Sequence, residues 1–220
     1  MHSDHSHHHE HDHDHEHHHE KTFADVVEFH GHTCPGLTLG YRAAEIAVKR
    51  LGTERDIDEE LVAVVENDAC GIDAIQVITG CTVGKGNLIL LDHGKHVYTF
   101  INRETGKAIR IAQKDFNMDD IDPVVSTLRL KVMSGNATEA EEADFHRRMQ
   151  GVCNRVMALP DERLFDIKEV EANIPEKARI FQSVKCAKCG ESVAEHRARV
   201  MNGGFVCIPC YEEYTRGWGK

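Results

Sequence analysis

Two pairs of cysteines near the C-terminus have the spacing of a metal site. Cys186 and Cys189 form one C-x2-C pair, and Cys207 and Cys210 form a second pair after 17 intervening residues. Zn²⁺ binds four thiolates in a tetrahedron, and each C-x2-C turn places two sulfurs on one side of the ion. Protein would then fill every coordination position, so the sequence predicts a structural zinc ion. Two redox-active C-x2-C motifs are the weaker alternative, because a segment with so little apolar core needs the free energy of metal binding to fold.

A second group of potential ligands lies in FHGHTCPG, residues 29–36. His30, His32 and Cys34 fall within five residues, and Gly31 between the histidines lets the backbone bring both imidazoles to one ion. Cys34 also stands at the start of a predicted helix, where the helix dipole favours a thiolate. These three residues are candidate ligands of a metal ion in the core.

Two further thiols occur in glycine-containing loops in the middle of the chain. Cys70 follows a predicted buried strand, in ENDACGID. Cys81 and Lys85 lie in GCTVGKGN, a loop whose backbone N–H groups are suited to hold an anion. The loop lacks the spacing of a nucleotide-binding P-loop, so nucleotide binding is a weak interpretation.

The sequence predicts that His32, Cys34 and at least one of Cys70 and Cys81 converge on one metal ion or one oxyanion. Thiolates and imidazoles together favour zinc, copper(I) or iron. If the site acts on a substrate, the candidate catalytic residues are Cys34, Cys81 and Lys85. A cysteine without such surroundings is usually a small core residue, which is the interpretation for Cys153.

Residues 1–20 are dominated by histidine, aspartate and glutamate. They contain eleven of the 17 histidines and one methionine, with no other apolar residue. Such a segment cannot form a packed core, so it is predicted to be a disordered tail that binds Zn²⁺, Ni²⁺ or Cu²⁺ weakly at several positions. The alternative is a purification tag, although tags are usually uninterrupted histidine runs.

Hydrophobic periodicity places these motifs on an α+β fold. Amphipathic helices are predicted at 22–30, 37–51, 71–79, 119–134 and 138–159, and strands at 61–66 and within 86–112. These elements predict a mixed helix and antiparallel-sheet core domain at 21–160. A linker is predicted at 161–183, and a small C4 zinc finger at 184–220.

Composition and charge limit the function classes. The formal net charge is −11, and removing the six acids of residues 1–20 leaves −5. A mildly acidic body is not typical of a nucleic-acid-binding protein, so a nucleic-acid partner is not expected. No apolar run is long enough to cross a bilayer and no secretory signal is evident, so we expect a cytoplasmic protein without a membrane partner. Eight cysteines in that compartment indicate metal or thiolate chemistry rather than disulfides.

The motifs FHGHTCPG, LGYRAAEIA and VVENDACGIDAIQVITGCTVGKGNL resemble the FmdE family, which takes its name from formylmethanofuran dehydrogenase. The final CAKCGE and CIPCYEEY resemble the TraR/DksA-like zinc finger often appended to that family. The resemblance covers about residues 22–212. It implies an intertwined homodimer and a core metal site at His30, His32, Cys34, Cys70 and Cys81, with Asp68, Asp73 and Lys85 nearby.

The resemblance implies a metal-binding accessory protein. Its expected role is linked to a molybdenum or tungsten enzyme system, whose subunits would be partners, or to metal and cofactor handling. Its expected cofactors are a structural zinc ion and a second metal ion in the core. The alternative is a metal- or thiolate-dependent enzyme that uses the core site on an unknown substrate. A transcription regulator acting through the finger is a weaker third hypothesis, because the basic residues of the finger are interspersed with acids.

Overall fold

The computed structural model describes residues 21–214 and 216–217. The chain divides between Glu176 and Lys177 into two compact units, and each is described by itself. Within the described residues, no helix is both long enough and apolar enough to span a membrane. The predicted metal-binding tail at 1–20 lies outside the described residues.

The first unit begins with two helices, α1 (Phe23–His30) and α2 (Pro35–Leu51). Thr22 and Asp25 close a capping box at the start of α1, as the sequence indicates. The second helix has proline in its first turn and ends at Gly52, whose φ of 61° suits a residue without a side chain. These signals confirm both helices.

A five-stranded sheet packs against the helices. Its strands are β1 (Leu61–Val65), β2 (Leu88–Leu90), β3 (Val97–Asn102), β4 (Ala108–Gln113) and β5 (Phe165–Val170), in the order β2-β1-β3-β4-β5. β1 is parallel to β2 and antiparallel to β3, so the sheet is mixed rather than purely antiparallel. The parallel pair arises because α3 (Gly71–Thr79) connects β1 to β2 as a crossover. The α+β fold class is confirmed.

The two faces of the sheet bury different residues of β1. Leu61, Ala63 and Val65 join the main core, while Val62 belongs to a smaller apolar cluster. Alternation along a strand explains this division, and burial on both faces explains the unbroken apolar sequence. The main core lies against α2, whose apolar stripe is buried from Leu37 to Leu51.

Three more helices complete the first unit: α4 (Val125–Met133), α5 (Glu139–Ala158) and α6 (Asp161–Leu164). The predicted helix at 119–134 is a 3-10 turn at Met118–Asp120 followed by α4. The predicted linker at 161–183 is wrong in its first half. Residues 161–170 form α6 and β5, with Leu164 and Phe165 buried, and β5 pairs with β4. Its exposed, charged alternate positions conceal an edge strand in a mixed-charge sequence.

The second unit contains two hairpins. One pairs β6 (Ser183–Lys185) with β7 (Ser192–Ala194), and the other pairs β8 (Arg199–Met201) with β9 (Gly204–Val206). Cys186, Val206 and Cys207 form its small buried cluster. So few buried side chains agree with a unit that depends on metal.

Candidate metal centres

A close helix crossing positions the core site. A Cβ built on Gly40 of α2 would lie 2.3 Å from both the Cα and the carbonyl oxygen of Gly71 in α3, so only glycine fits there. Gly71 is the first residue of α3. The start of α3 therefore lies against the first turns of α2. The crossing brings together the N-cap residues of the two helices, Cys34 and Cys70.

His30, His32 and Cys34 form the predicted core cluster. One ligand atom from each side chain lies within 4.8 Å of the other two, and the ring centroids of the histidines are 4.5 Å apart. The α1–α2 junction makes this possible, because Gly31 has a φ of 92° and turns the chain between the two histidines. The arrangement offers two imidazoles and one thiol to a single ion.

His30 is oriented by a carboxylate. Its Nδ1 lies 2.7 Å from Oδ2 of Asp73 on α3, and the amide of Gln76 donates to the other oxygen of that carboxylate at 3.4 Å. The other ring nitrogen, Nε2, is buried and has no hydrogen-bond partner among the residues that the structure describes. A histidine that binds a metal ion typically holds a carboxylate through its second nitrogen. His30 therefore has the environment of a metal ligand.

The thiol of Cys34 departs from the sequence-based expectation. Burial raises its pKa to about 11, the N–H of Leu37 opposes that rise by donating to the sulfur, and the neighbouring Cys70 thiol adds to it. The helix N-terminus alone therefore does not make a thiolate here. A bound cation would supply the missing positive charge.

Cys70 lies beside the cluster but outside the set of converging ligand atoms. It is half-buried and lines a cavity of about 360 Å³ together with His30, Asp68 and Asp73. The remaining walls are largely apolar, from residues of β1, α3, the loop that follows α3, and β2. The cavity gives small molecules a place next to the cluster.

The structure does not bring Cys81 or Lys85 to this site. Cys81 is completely buried, its thiol donates to the carbonyl of Leu61 at 3.3 Å, and burial raises its pKa to about 12. Lys85 Nζ donates to the Asp56 carboxylate at 2.8 Å, and to the carbonyls of Asp56 and Ile57, both at 3.2 Å. The proposed anion loop is thus a structural network. A thiol in a glycine-rich loop does not reveal by itself that the loop folds inward.

Asp56 explains why the loop folds inward. Its carboxylate is fully buried and accepts hydrogen bonds from Lys85, from the amide of Asn87 at 2.7 Å and from the N–H of Leu61 at 2.9 Å. Burial raises its pKa, but these hydrogen bonds outweigh burial and hold the pKa below its ordinary value. The sequence analysis missed Asp56 and Asn87, although a buried lysine partner is a common need of a polar loop.

The four finger cysteines converge as predicted. One ligand atom from each lies within 4.8 Å of the others, and the sulfurs of Cys189 and Cys207 are 3.9 Å apart. Two sulfurs bound tetrahedrally to one zinc ion at about 2.3 Å are roughly 3.8 Å apart, so the group fits zinc. Cys186, Cys189, Cys207 and Cys210 would hold the ion.

The electrostatics of the finger also fit a cation. Backbone N–H groups of Cys189 and Cys207 lower the pKa of the Cys186 thiol to about 6, which stabilises a thiolate. The neighbouring thiols, with Cys207 first, raise the pKa of Cys210 to about 12. Four thiolates repel one another, and a doubly charged ion removes this repulsion.

Comparison with known proteins agrees with this architecture. Residues 29–166 match the family described as FmdE, molybdenum formylmethanofuran dehydrogenase operon. The chain belongs to the FmdE family. Residues 179–216 match the prokaryotic dksA/traR C4-type zinc finger. Both assignments confirm the resemblance seen in the sequence.

Two similar proteins place this FmdE chain among its relatives. A "Probable S-adenosyl-L-methionine-binding protein" of Archaeoglobus fulgidus is 34% identical over 202 residues, which cover 88% of this chain and 53% of that protein. The chain therefore spans about half the length of this relative. A crystal structure of an FmdE-like protein of tungsten formylmethanofuran dehydrogenase, from Syntrophus aciditrophicus, has a TM-score of 0.54 and 24% identity, over 84% of this chain and 87% of that one. This likeness shows a shared fold.

Proposed function

We propose that this FmdE protein is a metal-handling accessory factor that holds one thiophilic transition metal ion through His30, His32 and Cys34. The observation that carries the proposal is the buried, unpartnered Nε2 of His30, with Nδ1 fixed by Asp73. A buried polar atom without a partner is costly. A metal ion at this position removes that cost.

The donor set selects the kind of metal. Two imidazoles and one thiolate favour zinc, copper(I) or iron over magnesium or calcium. Asp73 positions His30 and selects the tautomer whose Nε2 carries a lone pair. Desolvation of Cys34 favours the neutral thiol, so binding of the ion releases a proton and weakens as the pH falls.

The test measures core metal in the full chain by difference. Wild type, Cys34→Ser and a matched control, Cys153→Ser, are equilibrated with Zn²⁺ and a competing chelator, and bound zinc is counted per chain. Cys153 is buried in the same unit and lies outside the ligand cluster. Because all three proteins share the tail and the finger, these contribute equally. We expect Cys34→Ser to hold one zinc ion fewer than the other two.

Asp73→Asn examines the orienting contact. Loss of such a second partner typically weakens metal affinity about 10- to 100-fold, so zinc affinity should fall by that factor. Equal zinc content and affinity in wild type, Cys34→Ser and Asp73→Asn would refute the core site.

A second candidate function is supported by the cavity beside the cluster. A metal with three protein ligands keeps a position for water or substrate, and when bound it supplies Lewis acidity. The apolar walls of the 360 Å³ cavity would exclude water from a small substrate, and Asp68 faces the cavity as a second carboxylate. The protein would then be a metal-dependent enzyme.

Azide distinguishes these two functions. Co²⁺ is added to protein whose finger retains zinc, and the visible spectrum that depends on Cys34 is recorded before and after addition of azide. An azide-dependent change indicates an open coordination position and favours an enzyme. An unchanged spectrum indicates that protein fills the coordination sphere and favours the accessory role.

The cellular setting is also part of the proposal. The family description names a molybdenum enzyme operon, so we propose that a molybdenum or tungsten enzyme system is the client and that the protein acts in the cytoplasm. Residues 1–20 would collect metal for it. Co-purification of the intact chain with subunits of such an enzyme is the corresponding measurement.

A homodimer is supported by the surface of α4. Val125 and Leu128 are buried, whereas Leu130 and Met133 on the same helix are 74% and 76% exposed. Exposed apolar side chains three residues apart mark one helix face for a partner. Light scattering should give twice the chain mass, and Leu130→Glu should reduce it. A wild-type mass of one chain at every concentration would contradict the dimer.

A further inference from the structure

Two cysteines meet where α2 and α3 cross. Cys34 and Cys70 are the residues that precede the two helices, and the glycine contact between Gly40 and Gly71 brings the helix ends together. A Cβ placed on Gly36, two residues after Cys34, would lie 3.6 Å from the Cβ of Cys70. The two thiols are direct neighbours, since each thiol of the pair affects the other electrostatically and through hydrogen bonding.

The two thiols differ in what already engages them. Cys34 caps α2 by accepting the N–H of Leu37 at 3.3 Å, and it belongs to the ligand cluster. Cys70 makes no capping hydrogen bond to any described residue of α3, and its ligand atom lies outside the cluster. Cys70 also lines the cavity, so a small molecule can reach it. A half-buried thiol next to another thiol, with no structural partner, needs an explanation.

We propose that Cys34 and Cys70 form a reversible disulfide that removes Cys34 from the core metal site. The inference rests on the proposed function for its consequence, because the metal is lost only if Cys34 holds it. The disulfide itself requires only the juxtaposition of the two helix ends. Oxidation would leave His30 and His32 as the remaining members of the cluster.

The oxidant belongs to a stated class, the low-molecular-weight disulfides. The thiolate of Cys70 attacks one sulfur of the small disulfide, whose S–S bond breaks, and a mixed disulfide forms with release of one small thiol. The thiolate of Cys34 then attacks the Cys70 sulfur, forms the protein S–S bond and releases the second small thiol. The protein loses two electrons and two protons, and the small disulfide gains them.

Metal and disulfide exclude each other at this site. A metal ion holds Cys34 as a bound thiolate, so a saturating ion protects the pair from oxidation, and the disulfide in turn lowers metal affinity. Linkage requires both effects to have the same size. The pair would thus couple the loading of the core to the thiol–disulfide balance around the protein.

The experiment uses the full chain with zinc in the finger. Reduced protein with a metal-free core is incubated with oxidised glutathione, quenched with acid and alkylated, and tryptic peptides are sequenced by mass spectrometry. We expect a cross-link between residues 22–42 and residues 56–85. Because the second peptide contains both Cys70 and Cys81, Cys70→Ser should abolish the cross-link and the control Cys81→Ser should retain it. Fragment ions place the bond in the wild type independently of either variant.

The second stage tests the coupling to metal. Saturating Zn²⁺ should slow cross-linking by more than about tenfold, equivalent to about 1.4 kcal/mol. With Co²⁺ as the probe, the Cys34-dependent spectrum should disappear on oxidation and return after dithiothreitol. Cys70→Ser should keep the spectrum in the presence of oxidant.

Three outcomes would overturn the inference. They are no Cys34–Cys70 cross-link in folded wild type at any ratio of oxidised to reduced glutathione, an equal rate of cross-linking with and without Zn²⁺, and a loss of metal in Cys70→Ser as large as in Cys34→Ser, which would make Cys70 a ligand. Failure of the proposed function looks different. Cys34→Ser would then hold as much zinc as wild type while the cross-link still forms.

Discussion

Replacing Gly40 by alanine tests the helix crossing on which both the core and the site depend. The new Cβ would lie 2.3 Å from backbone atoms of Gly71, whereas an ordinary contact begins at 3.4 Å, so the helices must separate by about 1.1 Å. Backbone cannot rotate away as a flexible side chain can. Overpacking of this kind costs about 1–3 kcal/mol, and alanine regains about 1 kcal/mol of helix propensity.

We therefore expect Gly40→Ala to lower the free energy of unfolding by about 1–2 kcal/mol and the Tm by roughly 2–8 °C. The separation also displaces Asp73 from His30, because Asp73 lies in the first turn of α3. Zinc affinity of the core should fall with stability. Urea unfolding, thermal unfolding and zinc competition on the full chain measure these effects.

Gly36→Ala is the matched control on the same helix. Its Cβ would lie 3.6 Å from the Cβ of Cys70, an ordinary contact, so the variant should be neutral or stabilised by up to about 1 kcal/mol. If Gly40→Ala is as stable as Gly36→Ala, the close approach of α2 and α3 is not a constraint. The account of how Cys34 and Cys70 are brought together would then fail.

The remaining predictions concern the finger, the polar loop and the tail. Cys189→Ser should lose one zinc ion per chain and expose residues 186–210 to protease, since metal binding and folding are coupled there; full zinc content with unchanged protease resistance would contradict this. Lys85→Met should destabilise the first unit by about 2–3 kcal/mol in urea unfolding, because it leaves the buried Asp56 carboxylate without its cation; a change within error would remove the network's structural role. The folded-state pKa of Asp56 is lowered, so its stabilisation is present above about pH 3.9 and is lost as the pH falls through the folded value; in Lys85→Met, acid unfolding should move to higher pH. Deleting residues 1–20 should leave the Tm in metal-free buffer unchanged and remove most weak Ni²⁺ binding by calorimetry, whereas a large fall in Tm would show that the tail belongs to the fold.

Local signals in the sequence were sufficient for much of the architecture. The capping boxes at Thr22 and Thr138 and the glycines that follow helices placed α1, α2 and α5, because caps satisfy backbone groups within a few residues of themselves. The strand β5 escaped detection, because its position depends on pairing with β4, more than fifty residues earlier in the sequence. Pairing partners at that distance leave no local pattern when only one face of the strand is apolar.

The metal sites show the same division. Four finger cysteines in two short pairs, and three core ligands within five residues, were predictable because neighbours in sequence are close in any fold. Which thiol joins the core site was decided by packing. Cys70 reaches Cys34 because Gly40 and Gly71 allow two helices to touch, and Cys81 is directed into the core by the network around Asp56. The sequence determined which side chains could bind metal; tertiary structure decided which of them meet, because that depends on backbone approach and burial between distant segments.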